Sequence, residues 1–60
     1  MSRKDYIALA AVFAWHQGSP STTPEQWDTG RLLAHSFADV LQADNARFDR
    51  RRFLDACGVT

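Results

Sequence analysis

The chain has 60 residues with seven basic and seven acidic side chains, so its formal net charge is zero. Hydrophobic residues at 45% argue against intrinsic disorder, and the neutral total gives no general attraction to nucleic acid or anionic membrane. A single cysteine excludes an intrachain disulfide, and no Cys/His set has zinc-site spacing. We therefore expect one small domain in a reducing interior, without a metal or a cofactor.

The first predicted helix covers residues 3–17, with Ser2 as its N-cap. At 100° per residue, its expected buried face consists of Tyr6, Leu9, Ala10, Phe13 and Ala14. Val12 and Trp15 point the other way, where a surface helix is normally polar. The helix is therefore apolar on two sides, in a chain that has little else to cover the second side.

The same segment does not have the features of a membrane element. Its apolar run, residues 6–15, is too short to cross a bilayer. It lacks the Lys/Arg-rich polar face of an interfacial helix, and no clear small-residue cleavage site follows it. We expect neither a membrane helix nor a signal peptide.

The second predicted helix covers residues 24–43. Thr23 is its expected N-cap, Pro24 suits the first helical position, and Gln26 can complete a capping box. The expected buried stripe consists of Trp27, Gly30, Leu33, Ala34, Phe37, Val40 and Leu41. Gly30 is expected to allow close approach of the first helix. Leu32 is an apolar exception on the side of the second helix that is expected to face solvent.

The third predicted helix covers residues 50–57 and has a signal at each end. Asp49 is a suitable N-cap, and Phe48 and Phe53 are spaced for a hydrophobic staple. Gly58 can adopt the left-handed conformation that ends a helix. No stretch alternates with the period of a strand. We predict an all-α domain with two long antiparallel helices and a short third helix packed across their open end.

Three apolar residues on expected outer surfaces are candidates for binding a protein: Val12, Trp15 and Leu32. Trp is over-represented among interface hot spots. The alternative is that Trp15 folds back over the 18–22 loop and belongs to the core. Both interpretations remain open at this point.

Four of the seven basic residues fall within six positions: Arg47, Arg50, Arg51 and Arg52. Cations are unfavourable at a helix N-terminus, so a phosphate backbone or an acidic partner is one explanation for them. The other is a solvated face, with Arg47 or Arg51 paired to nearby aspartates at positions 44, 49 or 55. The neutral total charge favours the solvated face. A helix-turn-helix is a poor match, because the connection lacks Gly and the last helix is barely two turns long.

We expect no enzymatic activity. His16 and His35 are candidates for acid–base catalysis, the common role of histidine in enzymes, but neither has a local Ser or Cys arranged as a nucleophile pair. Cys57 is expected to face the core, where thiols are normally inert. Sixty residues also leave little room for a substrate pocket.

The C-terminal stretch Asp44-Asn45-Ala46-Arg47-Phe48-Asp49-Arg50-Arg51-Arg52-Phe53-Leu54-Asp55-Ala56-Cys57-Gly58 resembles the ending of a family of short uncharacterised proteins encoded by phages and prophages of actinobacteria. In that family the ending usually reads Asp-Asn-Pro-Arg-Phe-Asp, followed by Arg-Phe-Leu, and finishes with a small residue and then Cys-Gly. This chain departs at Ala46, where proline is usual, so its turn is less rigid. The resemblance implies the cytoplasm of a bacterial host and assigns no activity.

The sequence thus predicts a small non-enzymatic protein-interaction module whose partner is a second copy of the chain or a host or defence protein. One alternative is a small nucleic-acid-binding protein that uses the four arginines. Another is a self-associating structural protein, such as a homodimer that buries the first helix.

Overall fold

The computed structural model describes residues 3–59, and it confirms the all-α prediction. The helices are α1 (Arg3–Gly18), α2 (Pro24–Asp44) and α3 (Arg50–Cys57), and residues 3–59 contain no strand. The first two helices are each one residue longer than expected. The predicted cap Ser2 lies outside the described residues.

The predicted capping interactions are present. The Thr23 hydroxyl accepts from the Gln26 backbone N–H at 3.2 Å, while the Gln26 side-chain oxygen accepts from the Thr23 N–H at 3.0 Å. The Asp49 carboxylate accepts from the Arg52 N–H at 3.0 Å. Gly58 has a φ of 79°, which is the left-handed conformation that glycine adopts without steric cost. Because these interactions span only a few residues, local sequence is enough to predict them.

The helices α1 and α2 are antiparallel. Gln17, near the end of α1, donates from its side-chain amide to the Trp27 carbonyl oxygen near the start of α2, at 2.9 Å. Further along the pair, the rings of Phe13 and Phe37 meet edge to face, with 5.6 Å between their centroids. This edge-to-face arrangement is favourable for aromatic pairs.

The position of α3 differs from the prediction. Before α3 begins, the Phe48 ring contacts Tyr6 near the start of α1, with centroids 4.9 Å apart. After α3 ends, a Cβ added at Gly58 would lie 3.9 Å from the Cβ of Gln17 near the end of α1. The third helix therefore lies alongside α1 and runs in the same direction, rather than across an open end. In this placement Phe53, Leu54 and Cys57 of α3 are buried, and so is Val59.

The core combines small residues from the long helices with large residues from the C-terminal third. Its buried hydrophobic members are Ala10, Ala34, Ala38, Leu41, Phe48, Phe53, Leu54, Cys57 and Val59. On α2 the buried residues are Gly30, Ala34, Ala38 and Leu41. Small side chains at a helix–helix contact allow the axes to approach closely.

The expected buried stripe of α2 is therefore wrong at three positions. Leu33, Phe37 and Val40 are 51%, 42% and 66% exposed. The contact is centred on the glycine and the alanines, so α2 is rotated relative to the prediction. These three large side chains lie at the edge of the contact or beyond it.

Candidate functional site

Five exposed apolar side chains and the half-buried Phe13 make up a surface that we call the apolar face: Val12, Phe13, Trp15, Leu33, Phe37 and Val40. The first four line a cleft of about 430 Å³ between α1 and α2, to which α3 contributes no residue. Phe37 joins the surface through its ring contact with Phe13. Val40 follows Phe37 by three residues and so lies on the same side of α2.

Two of the predicted protein-binding residues belong to this face. Trp15 is 76% exposed and Val12 is 64% exposed, so Trp15 is not part of the core. The third candidate, Leu32, is 58% exposed but is absent from the cleft lining. At 100° per residue it points well away from Leu33, on the side of α2 opposite the core.

Sequence reasoning missed Leu33, Phe37 and Val40 as surface residues because it assigned them to the core. A usable signal was present. Gly30, Ala34 and Ala38 recur every four residues, a spacing that marks one side of a helix as suited to close packing.

A buried amide holds the end of the cleft together. The Gln17 residue is 9% exposed, its amide nitrogen donates to the Trp27 carbonyl, and its oxygen lies 2.7 Å from Nδ1 of His16. Because an amide oxygen can only accept, His16 carries its proton on Nδ1 in this contact. The network fixes the last turn of α1 against α2, next to Trp15. Sequence analysis placed Gln17 only at a helix end and did not anticipate this role.

The arginine cluster is divided between surfaces. Arg50 pairs with Asp39 of α2, a different partner from the aspartates considered in the sequence. Arg47 and Arg52 instead line a second cleft, between α1 and α3, together with Arg3. Arg51 is exposed and lines neither cleft. Of the four arginines, two therefore line the second cleft, one is paired with Asp39, and one lines neither cleft.

Two potentially reactive side chains, Cys57 and His16, are held within the fold. Burial raises the pKa of the Cys57 thiol from 9.0 to about 11, so it stays protonated near neutral pH. Nδ1 of His16 is hydrogen-bonded to the side-chain oxygen of Gln17. No group of three or more His, Cys, Asp or Glu side chains in this part of the chain is placed to hold a metal ion. None of the helices formed by these residues combines the length and apolarity needed to cross a bilayer.

Residues 3–59 thus form a small all-α domain, whose exposed clefts include the two described above. In comparisons with known proteins, no family model matches the chain, and neither a curated protein nor a solved structure matches it.

Proposed function

We propose that this protein is a small interaction module that binds another polypeptide through the apolar face. The observation that carries the proposal is the distribution of side-chain size. Two alanines, a glycine and Leu41 are the buried residues of α2, while bulky apolar residues such as Trp15, Leu33 and Val40 are exposed.

Exposed apolar side chains on one continuous surface favour association. Full burial of a Val, Leu or Phe side chain contributes about 1.5–3 kcal/mol, and contiguous apolar patches commonly mark interaction sites. Trp15 stands at the edge of the cleft as a large aromatic group of the kind enriched in interface hot spots. A groove between two helices suits an amphipathic helix as its partner.

Two kinds of partner match this chemistry: a second copy of the chain, and a host protein that presents an apolar helix. A second copy would bury two apolar faces against each other in a symmetric interface. The resemblance of the C-terminal stretch to phage proteins supports a host or defence protein in the cytoplasm of a bacterium as the other kind.

The first test is sedimentation equilibrium over a hundredfold concentration range, comparing Leu33→Ser with Leu32→Ser. The two leucines are adjacent and similarly exposed, but only Leu33 lines the cleft. If the partner is a second copy, the parent and Leu32→Ser associate, while Leu33→Ser and Trp15→Ala remain monomeric.

If the parent is monomeric, a photocrosslinking amino acid at position 15 tests for a host partner in living cells, with position 32 as the matched control. The proposal expects a discrete crosslinked protein at position 15 that is lost when Leu33→Ser is added. A monomeric parent, together with the same products at both positions, contradicts the proposal.

A further inference from the structure

We propose that the cleft between α1 and α3 is a second binding site, for an acidic peptide segment that inserts one large apolar side chain. We call it the arginine cleft. The residues that carry the argument are Arg3, Tyr6, Ile7, Arg47, Arg52 and Ala56. It uses other residues of α1 than the apolar face does, and α3 in place of α2, and it does not depend on the function proposed above.

The interior of the arginine cleft is apolar. Tyr6 and Ile7 of α1 and Phe53 and Ala56 of α3 contribute to its walls, and Ile7 is 63% exposed. Its volume is about 270 Å³, slightly below the roughly 300 Å³ at which small-molecule pockets begin. The cleft is therefore suited to one anchoring side chain of a larger partner rather than to a fully enclosed ligand.

The charge around this apolar interior is mainly positive. Three arginines line the cleft, Arg3, Arg47 and Arg52, against one acidic residue, Asp49. That carboxylate already accepts the Arg52 backbone N–H as the cap of α3. Arg31 pairs with Asp28 and Arg50 pairs with Asp39, so the arginines of these two ion pairs are not the arginines of the cleft.

Carboxylates on a peptide fit this arrangement. Guanidinium groups bind carboxylates through paired, charge-assisted hydrogen bonds. An aromatic or aliphatic side chain between the carboxylates would fill the apolar interior. A nucleic acid fits less well, because the chain as a whole is neutral and Arg50, which would extend the basic surface, is paired with Asp39.

The test is titration of the isotopically labelled full chain with a pentapeptide in which one phenylalanine is flanked on each side by two glutamates. Amide shifts are followed by nuclear magnetic resonance. The shifts are expected at residues 6, 7, 53 and 56, not around Trp15. Replacing the phenylalanine of the peptide by serine, or its glutamates by lysines, is expected to abolish them.

Matched arginine variants separate the cleft from general charge attraction. Arg47→Ser and Arg52→Ser are each expected to weaken peptide binding about three- to tenfold, as loss of an exposed to partly buried charge pair implies. Arg51→Ser removes the same charge from the same helix outside the cleft and should leave binding unchanged. Trp15→Ala should also leave it unchanged, so failure of one site does not imply failure of the other.

Ala56→Leu gives an independent check, because the added side chain enters the cleft from an exposed position. It should block the peptide while the helical circular dichroism signal is kept. The proposal is overturned if the peptide causes no shifts, or if Arg51→Ser weakens binding as much as Arg52→Ser. It is also overturned if a single-stranded oligonucleotide binds the same residues more tightly than the peptide, since the site would then recognise phosphate.

Discussion

At the scale of single residues, Gly30 shows how close packing depends on one missing Cβ. A Cβ added there would overlap the Gln17 side-chain oxygen and would come within 2.9 Å of Nδ1 of His16. Glycine costs about 1 kcal/mol in a helix interior relative to alanine. The buried Gln17 amide and its bond to Trp27 explain why it is tolerated here.

Gly30→Ala is expected to lower the free energy of unfolding by about 1–2 kcal/mol, because the gain in helix propensity is smaller than the cost of displacing Gln17. Urea denaturation measures the change. Gly18→Ala is the control, since a Cβ there meets nothing within 4 Å. Equal decreases for the two substitutions would contradict this account. It would also be contradicted if Gly30→Ala lowered the free energy of unfolding by the same amount in a Gln17→Ala protein, where the overlapping side chain is gone.

Cys57 predicts a pH dependence of stability. Its thiol is buried, and burial raises its pKa in the folded state to about 11, above the ordinary value of 9.0. Below about pH 9 the thiol is neutral in both states and has no effect. As the pH rises towards 11 the unfolded chain ionises first, so stability falls across that interval. Urea denaturation at pH values on both sides of 9 should show a smaller decrease for Cys57→Ala than for the parent, and identical decreases would refute the assignment.

At the scale of helices, both ends of the connection between α1 and α2 are held by short-range hydrogen bonds. The Thr22 hydroxyl donates to the His16 carbonyl oxygen. One residue later, Thr23 and Gln26 form the capping box that begins α2. These contacts fix the start of α2, and with it the position of the residues from α2 that line the apolar cleft.

Thr23→Ala should lower the free energy of unfolding by about 1 kcal/mol, because the Gln26 backbone N–H loses its partner. Amide hydrogen exchange should become faster in the first turn of α2. Thr29→Ala is the comparison within the same helix, where the hydroxyl only adds a bond to the Glu25 carbonyl and alanine is the better helix former. A similar loss for both variants would show that the cap is not responsible.

At the scale of the whole molecule, stability depends mainly on the C-terminal third. The large buried hydrophobic residues include Phe48, Phe53, Leu54 and Val59, and the rings of Phe48 and Phe53 lie 5.5 Å apart. The two long helices contribute mostly alanines to the buried set. A domain of this size has a total stability of roughly 3–9 kcal/mol, so a single aromatic residue of the core accounts for much of it.

Phe53→Ala is expected to cost about 3–5 kcal/mol and to leave little folded protein at 25 °C. Phe37→Ala removes the same ring from a position that is 42% exposed, against 4% for Phe53, and should cost much less. Circular dichroism measures the folded fraction of both variants. The samples are kept dilute so that association through the apolar face does not contribute. A fully folded Phe53→Ala protein would contradict the assignment of the core.

Features that depend on neighbouring residues are predictable from the sequence: the three helices, the caps at Thr23 and Asp49, and the turn at Gly58. The exposure of Trp15 and the side of α2 that is buried follow from packing between distant parts of the chain. Two apolar stripes compete on that helix, and the one containing Ala34 and Ala38 is buried because small side chains permit closer packing. The path of α3 along α1 likewise follows from packing across the chain. That path separates Arg50 from Arg52 and forms the arginine cleft.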